Sequence, residues 1–370
     1  MSDIKFGVAG LGTAARQILP YFERVEGVRL AAAADIRADA REAFTAKYNL
    51  PAHGSIEELC ASHAIDAVWV ETPNHHHCEH VVCAAESGKH VICAKPLAAT
   101  LEECDRMIAA ARANDVRLMI GHSKIFDPPV FAMGGIARSG KLGRVIQIDS
   151  ILYNDWLRRP RLAEELDETK GAGFILRQAP HIVDIVNYIA ASRVTSLRAI
   201  TGRWEPDIQT DGNCAALIQY DSGAVANIGL NGYGYFDSSE LTWDIGTFGK
   251  VKESSIPVAR PGGPLNAEEK HAASRDASPG NAQPFFGLHI VSFEKGVVRQ
   301  SPKGLFVYTD EGCEEIVLPA YQGRAAELIE LRDARREKRD VFPNGEWGKA
   351  NLEICLGLLK SSREGTDIAF

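Results

Sequence analysis

No stretch of this 370-residue chain is apolar for long enough to span a bilayer, and its first apolar run is too short for a signal peptide and leads straight into a glycine turn. The eight cysteines (60, 78, 83, 93, 104, 214, 313, 355) have no paired spacing, so no disulfide framework is expected, and they read as reduced thiols of a cytoplasmic protein. Charge of one sign is missing too. Lys and Arg number 41 against 49 Asp and Glu, a net charge of -8 with the signs interspersed, which argues against a nucleic-acid surface and gives no reason to expect a membrane partner. There are no internal repeats. One tract, about Pro257 to Pro284, is rich in Gly, Pro, Ala, Ser and charge and reads as a long surface loop. What remains is a globular composition, 45% hydrophobic and 24% charged, at a length that suits two domains.

The rest of the chain is organised around its opening. Ile4 to Ala9 is a strand-like apolar run, Gly10-Leu11-Gly12-Thr13-Ala14-Ala15 is a Gly-x-Gly-x-x-Ala turn, and Ala14 to Val25 has the pattern of an amphipathic helix. Gly10 allows the tight turn, Gly12 lets a pyrophosphate approach the backbone near Thr13 and Ala14, and Ala15 permits close helix-strand packing. A second apolar run, Val28 to Ala34, ends on Asp35, where an acid that bonds a ribose belongs. The reading is a dinucleotide site. The competing reading is an ordinary strand-turn-helix.

Alternation continues through the first 120 or so residues. A helix through Tyr48, capping boxes at Ser55 to Glu58 and Thr100 to Glu103, strands at Asp66 to Val70, His90 to Cys93 and Arg117 to Ile120, and a helix from His77 to Ser87 imply parallel strands joined by crossover helices. Beyond Gly121 the character changes. Helices are expected at Pro129 to Ser139 and Gln178 to Ala190, and strands at Arg144 to Leu152, Ser196 to Arg203, Cys214 to Tyr220, Ala224 to Leu230 and Glu240 to Ile245. Strands in succession suggest an antiparallel sheet. The expected division is residues 1–123 and 124–370, with a C-terminal helix returning to cover the first domain.

Several motifs stand at the ends of these strands. They are Glu71-Thr72-Pro73-Asn74-His75-His76-His77, Gly88 to Pro96 with its Lys95-Pro96, Gly121-His122, Phe126-Asp127-Pro128, and Gly171-Ala172-Gly173 through His181-Ile182-Val183-Asp184. With the opening Gly-Leu-Gly, they resemble the glucose-fructose oxidoreductase, inositol dehydrogenase and MocA (Gfo/Idh/MocA) family over nearly the whole chain. The resemblance implies an α/β protein with an N-terminal Rossmann domain and a C-terminal α+β domain, whose open, mostly antiparallel sheet supports dimers or tetramers. It also implies nicotinamide-dependent hydride transfer at a carbinol carbon of a sugar, cyclitol or dihydrodiol.

The residues are compatible with that chemistry. Thr72, Pro73 and Asn74 form a rigid polar turn suited to the cofactor, and His77 caps or packs at the same loop. Pro96 biases Lys95 away from helical angles, and a partly desolvated lysine can exchange a proton with a substrate hydroxyl. The competing reading is a solvated surface lysine. His181, with Asp184 one turn on, occupies the family's position for a histidine that touches the reacting hydroxyl; otherwise it is a satisfied core histidine. His122 follows a strand and could line the site. The run His75 to His80 cannot converge on one tetrahedral ion, so no metal is expected.

Two departures stand out. The family's Glu before Lys-Pro is Ala94, and the acid four residues before its histidine is Arg177. An arginine there suits a substrate carboxylate, which a guanidinium holds bidentately. Arg158, Arg159 and Arg161 lie just upstream, and this run resembles the branch that oxidises phthalate cis-4,5-dihydrodiol to 4,5-dihydroxyphthalate. The competing reading pairs the arginines with Glu164, Glu165 and Asp167 on a solvated face. Asp35 favours NAD, while Arg37 could accept the extra phosphate of NADP. Two further alternatives are a sugar or cyclitol dehydrogenase and a non-catalytic dinucleotide-binding regulator.

Overall fold

The computed structural model describes residues 3–159, 161–168, 171–252 and 278–370, so most of the loop expected at 257–284 lies outside the described residues. The chain divides into two compact units: the residues up to Ser123 with Arg324–Glu353, and Lys124–Gly323 with Ile354–Phe370. Expected as part of the second domain, Arg324–Glu353 thus belongs to the first unit.

In the first unit, strands β1 (Ile4–Ala9), β2 (Val28–Ala34), β3 (Ala52–His53), β4 (Ala67–Val70), β5 (His90–Ala94) and β6 (Leu118–Gly121) form a sheet in the order β3-β2-β1-β4-β5-β6. Every pair is parallel. The central strand β4 is apolar throughout because both its faces are covered: Ala67, Val68, Trp69 and Val70 are all 0% exposed. The crossovers carry α1 (Thr13–Ile18), α2 (Ala38–Tyr48), α3 (Ile56–Ala61), α4 (His77–Glu86) and α5 (Leu101–Ala113). Ser55 Oγ accepts from the Glu58 N–H at 3.2 Å, and Thr100 and Glu103 close a capping box, as their spacing implies. The order reverses between β1 and β4, the switch point at which such sheets bind ligands.

Two expectations here need correction. The first helix stops at Ile18 and continues only as a 3-10 turn, Leu19–Tyr21, because Pro20 lacks the N–H a longer helix would use. The two-residue strand β3 escaped notice because it is too short to show a pattern.

The second unit holds α6 (Pro128–Ser139), β7 (Val145–Tyr153), α7 (Ala163–Leu166), α8 (Gly173–Ala190), β8 (Val194–Gly202), β9 (Asn213–Tyr220), β10 (Val225–Asn231), β11 (Leu288–Phe293), β12 (Gly296–Ser301), β13 (Gly304–Thr309), β14 (Gly312–Val317) and β15 (Ile368–Ala369). These strands make one nine-stranded sheet, β14-β13-β12-β11-β7-β10-β9-β8-β15, antiparallel except where β7 and β10 run parallel. Strands β9, β10 and β11 alternate buried positions with half-buried or exposed ones, so one face carries the core under α8, an apolar helix with Phe174, Ile182, Val183, Ile185 and Val186 all 0% exposed. The helix Ala325–Glu337 belongs to the first unit, and the helix Gly345–Glu364 begins in the first unit and ends in the second.

The strand expected at Glu240–Ile245 is instead a 3-10 turn, Ser238–Thr242, opened by Asp237 Oδ1 accepting from the Ser239 N–H at 2.9 Å and ended by Trp243 and Asp244 at φ 55° and 56°. Helix α8 starts at Gly173, ahead of the expected Gln178, with Pro180 inside it; burial of Phe174, Ile175, Leu176 and Ala179 offsets the lost hydrogen bond. Strands β11 to β14 went unassigned in the sequence although tight turns separate them.

Candidate functional site

In the first unit, the expected cofactor residues gather at the carboxyl ends of β1, β2, β4 and β5. Gly10 has φ +91°, and a Cβ there would sit 2.8 Å from the Glu71 carbonyl oxygen, so the turn closes only with glycine. Gly12 differs. Its φ is -74° and a Cβ would meet nothing within 4 Å, so the fold does not need glycine there and the open space is what an approaching pyrophosphate requires. Gly12 caps α1 without a side-chain hydrogen bond, next to Thr13 and the exposed Ala14. The residues present therefore fit a dinucleotide.

Asp35 is tied into the turn. Its carboxylate accepts the Leu11 N–H at 2.7 Å, the Arg37 N–H at 2.9 Å and both Nε and Nη2 of Arg37 at 3.1 Å. Burial would raise its pKa, but the Arg37 side chain and the two N–H donors outweigh it and hold the carboxyl below its ordinary value. Arg37, meanwhile, is committed to Asp35. On the next strand end, Thr72 Oγ1 and His80 Nδ1 are 2.9 Å apart, Pro73 is exposed and Asn74 opens a 3-10 turn.

His77, expected to cap or pack at this loop, is completely buried. Its Nε2 faces the Thr72 carbonyl at 2.9 Å and its Nδ1 the Pro96 carbonyl at 3.0 Å; burial pushes its pKa down to about 4, so the neutral ring has one N–H to donate to either. It braces the Thr72 loop against the segment after Lys95. Lys95 itself is half-buried at the end of β5. It acts electrostatically on two neighbours, Glu71 and His122. His122 is 1% exposed, and burial, then the Lys95 charge, push its pKa down to about 3, so it is uncharged at neutral pH.

In the second unit, His181 is half-buried on α8, with its ring 4.8 Å from that of Phe286, and Asp184 is fully buried one turn on. Phe286 and Tyr321 flank the Lys124 ammonium at 5.7 and 5.9 Å, and Lys124 pairs with Asp127 at 3.1 Å with both side chains almost wholly buried. Asp127 stands in the Phe126-Asp127-Pro128 motif, but the motif by itself gives neither residue a role. Their only signal was polar residues beside an apolar strand end.

Each of the four arginines has a partner. Arg177 Nη2 lies 2.9 Å from Glu165 Oε1, and Arg161 Nη1 lies 4.0 Å from the same oxygen. Arg161 also stacks on Trp156 at 4.0 Å, Arg159 pairs with Asp155 at 2.7 Å, and Arg158 donates to the Tyr233 carbonyl and covers the Tyr235 ring. Glu165, one of the acids in the competing reading, is thus shared by two guanidiniums, a triad with net positive charge. Among the described residues, no three His, Cys, Asp or Glu side chains group as a metal site, and no helix is long and apolar enough to cross a membrane.

Residues 4–122 match the family model described as an oxidoreductase family with an NAD-binding Rossmann fold, and 132–252 match a GFO/IDH/MocA C-terminal domain. A relative from Comamonas testosteroni, 1-carboxy-3-chloro-3,4-dihydroxycyclohexa-1,5-diene dehydrogenase, is 33% identical over 97% of this chain and 95% of its own length. Among solved structures, a protein from Bordetella bronchiseptica RB50 described as a proposed dehydrogenase superposes with TM-score 0.91 at 35% identity, each chain covered completely. An oxidoreductase from Agrobacterium radiobacter, in complex with NAD+, L-tartaric acid and magnesium, shares the fold at TM-score 0.76 and 17% identity over 100% of this chain and 98% of that one. With a glycine turn open to a pyrophosphate and both halves of the chain matched in order, the protein belongs to the Gfo/Idh/MocA family of NAD(P)-dependent oxidoreductases.

Proposed function

We propose that this enzyme oxidises a carboxylated aromatic cis-dihydrodiol, phthalate cis-4,5-dihydrodiol or a close analogue, with NAD as acceptor. The observation that carries the reading is Glu165 shared between Arg161 and Arg177: two guanidiniums on one buried carboxylate form a group with excess positive charge, and one of them, Arg177, stands four residues before His181 on the same helix. The Comamonas relative, named for a carboxylated dihydroxycyclohexadiene, supports the same class of substrate.

NAD, when bound, takes up the hydride. Lys95 Nζ accepts the proton of the hydroxyl whose carbon is oxidised, and His181 orients that hydroxyl or relays its proton. Arginines among 158, 159, 161 and 177 hold the ring carboxylates. The ketone formed beside the second carbinol tautomerises to an aromatic diol, which makes the oxidation strongly downhill and leaves the protein mainly to position the reactants. Asp35 holds the adenosine ribose, and its bond to Arg37 keeps that arginine from a 2'-phosphate, which favours NAD over NADP.

The test compares reduced-cofactor formation from phthalate cis-4,5-dihydrodiol, an uncharged aromatic cis-dihydrodiol, and myo-inositol or glucose, with NAD and with NADP. Turnover of the carboxylated diol alone is the expected result. Activity with the polyols alone would overturn it in favour of a sugar or cyclitol dehydrogenase, a reading favoured by Arg177 already being engaged by Glu165. Tight NAD binding with no turnover of any substrate would point to a regulator. We also propose a homo-oligomer through the outer face of the nine-stranded sheet, where Ile200 and Leu217 on adjacent strands are 63% and 39% exposed. Leu217→Asp should shift the mass in light scattering to a smaller species, and an unchanged mass would sink the idea.

A further inference from the structure

Two buried carboxylates in the first unit have no part in the chemistry above. Val70 pairs with Cys93, so Glu71 follows β4 level with Ala94, which pairs on its other side with Gly121. Three neighbouring strand ends thus reach the same height. Glu71 is 5% exposed along its side chain, and its Oε1 accepts from Trp69 Nε1 at 3.0 Å. The second acid, Glu327, comes from the helix Ala325–Glu337 and is completely buried. A Cβ on Gly121 would lie 3.4 Å from Glu327 Oε1, so this carboxylate covers the strand end where Gly121 leaves room. One guanidinium serves both acids: Arg324 donates to Glu327 at 2.9 Å, lies 3.8 Å from Glu71 Oε1, and stacks over Trp69 at 5.3 Å.

Two ionised carboxylates with one guanidinium carry a net negative charge, which a buried site sheds by taking up a proton unless a further cation stands near. Lys95 meets that need. It follows Ala94 directly, at a strand end level with Glu71, and its charge, like that of Arg324, favours the ionised Glu71. The other titratable neighbours do not compete: Cys93 is a buried thiol whose pKa burial pushes up, and His122 is neutral.

We propose that Glu71 is a positioning residue for Lys95. Its carboxylate, fixed by Trp69 and Arg324 with Glu327 behind, supplies from the neighbouring strand the negative charge that Ala94 cannot, and so aims the Lys95 amine and sets its affinity for a proton. Burial pushes the Glu71 carboxyl above its ordinary pKa, while Arg324 and Lys95 draw it back; by reciprocity, ionised Glu71 stabilises the Lys95 ammonium. The inference rests on Lys95 as proton acceptor. A purely structural cluster would tie the helix to the sheet and leave Lys95 indifferent to the Glu71 charge.

The test reads Lys95 directly. Lysines of the intact protein are reductively methylated with 13C-formaldehyde, the Lys95 signal is assigned by its loss in Lys95→Met, and its titration midpoint is followed by NMR without substrate. Glu71→Gln should lower the midpoint by about one pH unit, because removing a neighbouring negative charge destabilises the ammonium. Glu71→Asp should restore most of it. Trp69→Phe keeps the charge, removes its hydrogen bond and should lower the midpoint less; it gives the answer if Glu71→Gln does not fold. A midpoint unmoved in the folded variants overturns the proposal. Reduced-cofactor formation, measured in parallel, separates the two readings. A lowered midpoint with no turnover of the carboxylated diol leaves the Glu71 role standing and removes the substrate assignment.

Discussion

At the scale of single residues, the weight falls on Lys95 and Arg177. Replacing Lys95 with Met removes the proton acceptor and leaves the glycine turn and Asp35 untouched, so turnover should fall by about a thousandfold or more while NAD affinity stays within a few-fold, measured by steady-state kinetics and calorimetry. Equal turnover in the variant would remove Lys95 from the chemistry. Arg177→Gln should raise KM for a carboxylated diol by roughly ten- to a hundredfold, the worth of a hydrogen bond to a charged group, and barely change KM for an uncharged diol. An equal effect on both substrates would mean that Arg177 serves only to hold Glu165. Both residues were legible in the sequence because motifs flank them. Glu165 as the acid shared by Arg161 and Arg177 was only one of three candidates, since sequence spacing does not say which carboxylate a flexible guanidinium meets.

At the scale of elements, the opening turn makes a sharper test than its motif does. Both glycines of Gly10-Leu11-Gly12 belong to the fingerprint, yet the fold requires only one of them. Gly10→Ala sets a Cβ against the Glu71 backbone at a left-handed φ, so it should lower stability by about 2 kcal/mol or more and NAD affinity with it. Gly12→Ala has open space and an ordinary φ, so its melting temperature should match the parent while NAD binding weakens about tenfold or more. Equal melting and equal affinity for both variants would contradict this division. Helix starts were readable at Ser55 and Thr100, where a capping side chain is followed three residues on by a glutamate. Two elements were misread for different reasons: α8 runs through Pro180 because burial of its apolar face overrides the local break, and the 240–245 segment turns because the Asp237 side chain captures a backbone N–H.

At the scale of the whole molecule, buried histidines make stability depend on pH. Burial lowers His77, His90 and His289 to about 4 and His122 to about 3, from an ordinary 6.5. Each stays neutral in the folded chain and takes up a proton in the unfolded one below its ordinary value, so the stability they contribute is complete above about pH 6.5 and is lost as pH falls toward 4. On the order of 2 kcal/mol each is at stake. Thermal melts should therefore show a midpoint that falls from pH 6.5 downward, and a midpoint constant to pH 5 would contradict the account. By itself the sequence determined the alternation of strands and helices, the dinucleotide turn, the lysine at a strand end and the family, because each rests on local spacing of residue types. Only the tertiary structure decided that Arg324–Glu353 joins the first unit, that His77 ties the Thr72 loop to the Pro96 carbonyl, that Arg161 and Arg177 share Glu165, and that Glu71 and Glu327 share Arg324. Those contacts join residues far apart in the chain, and whether a charge is paired or buried depends on which segments pack against it.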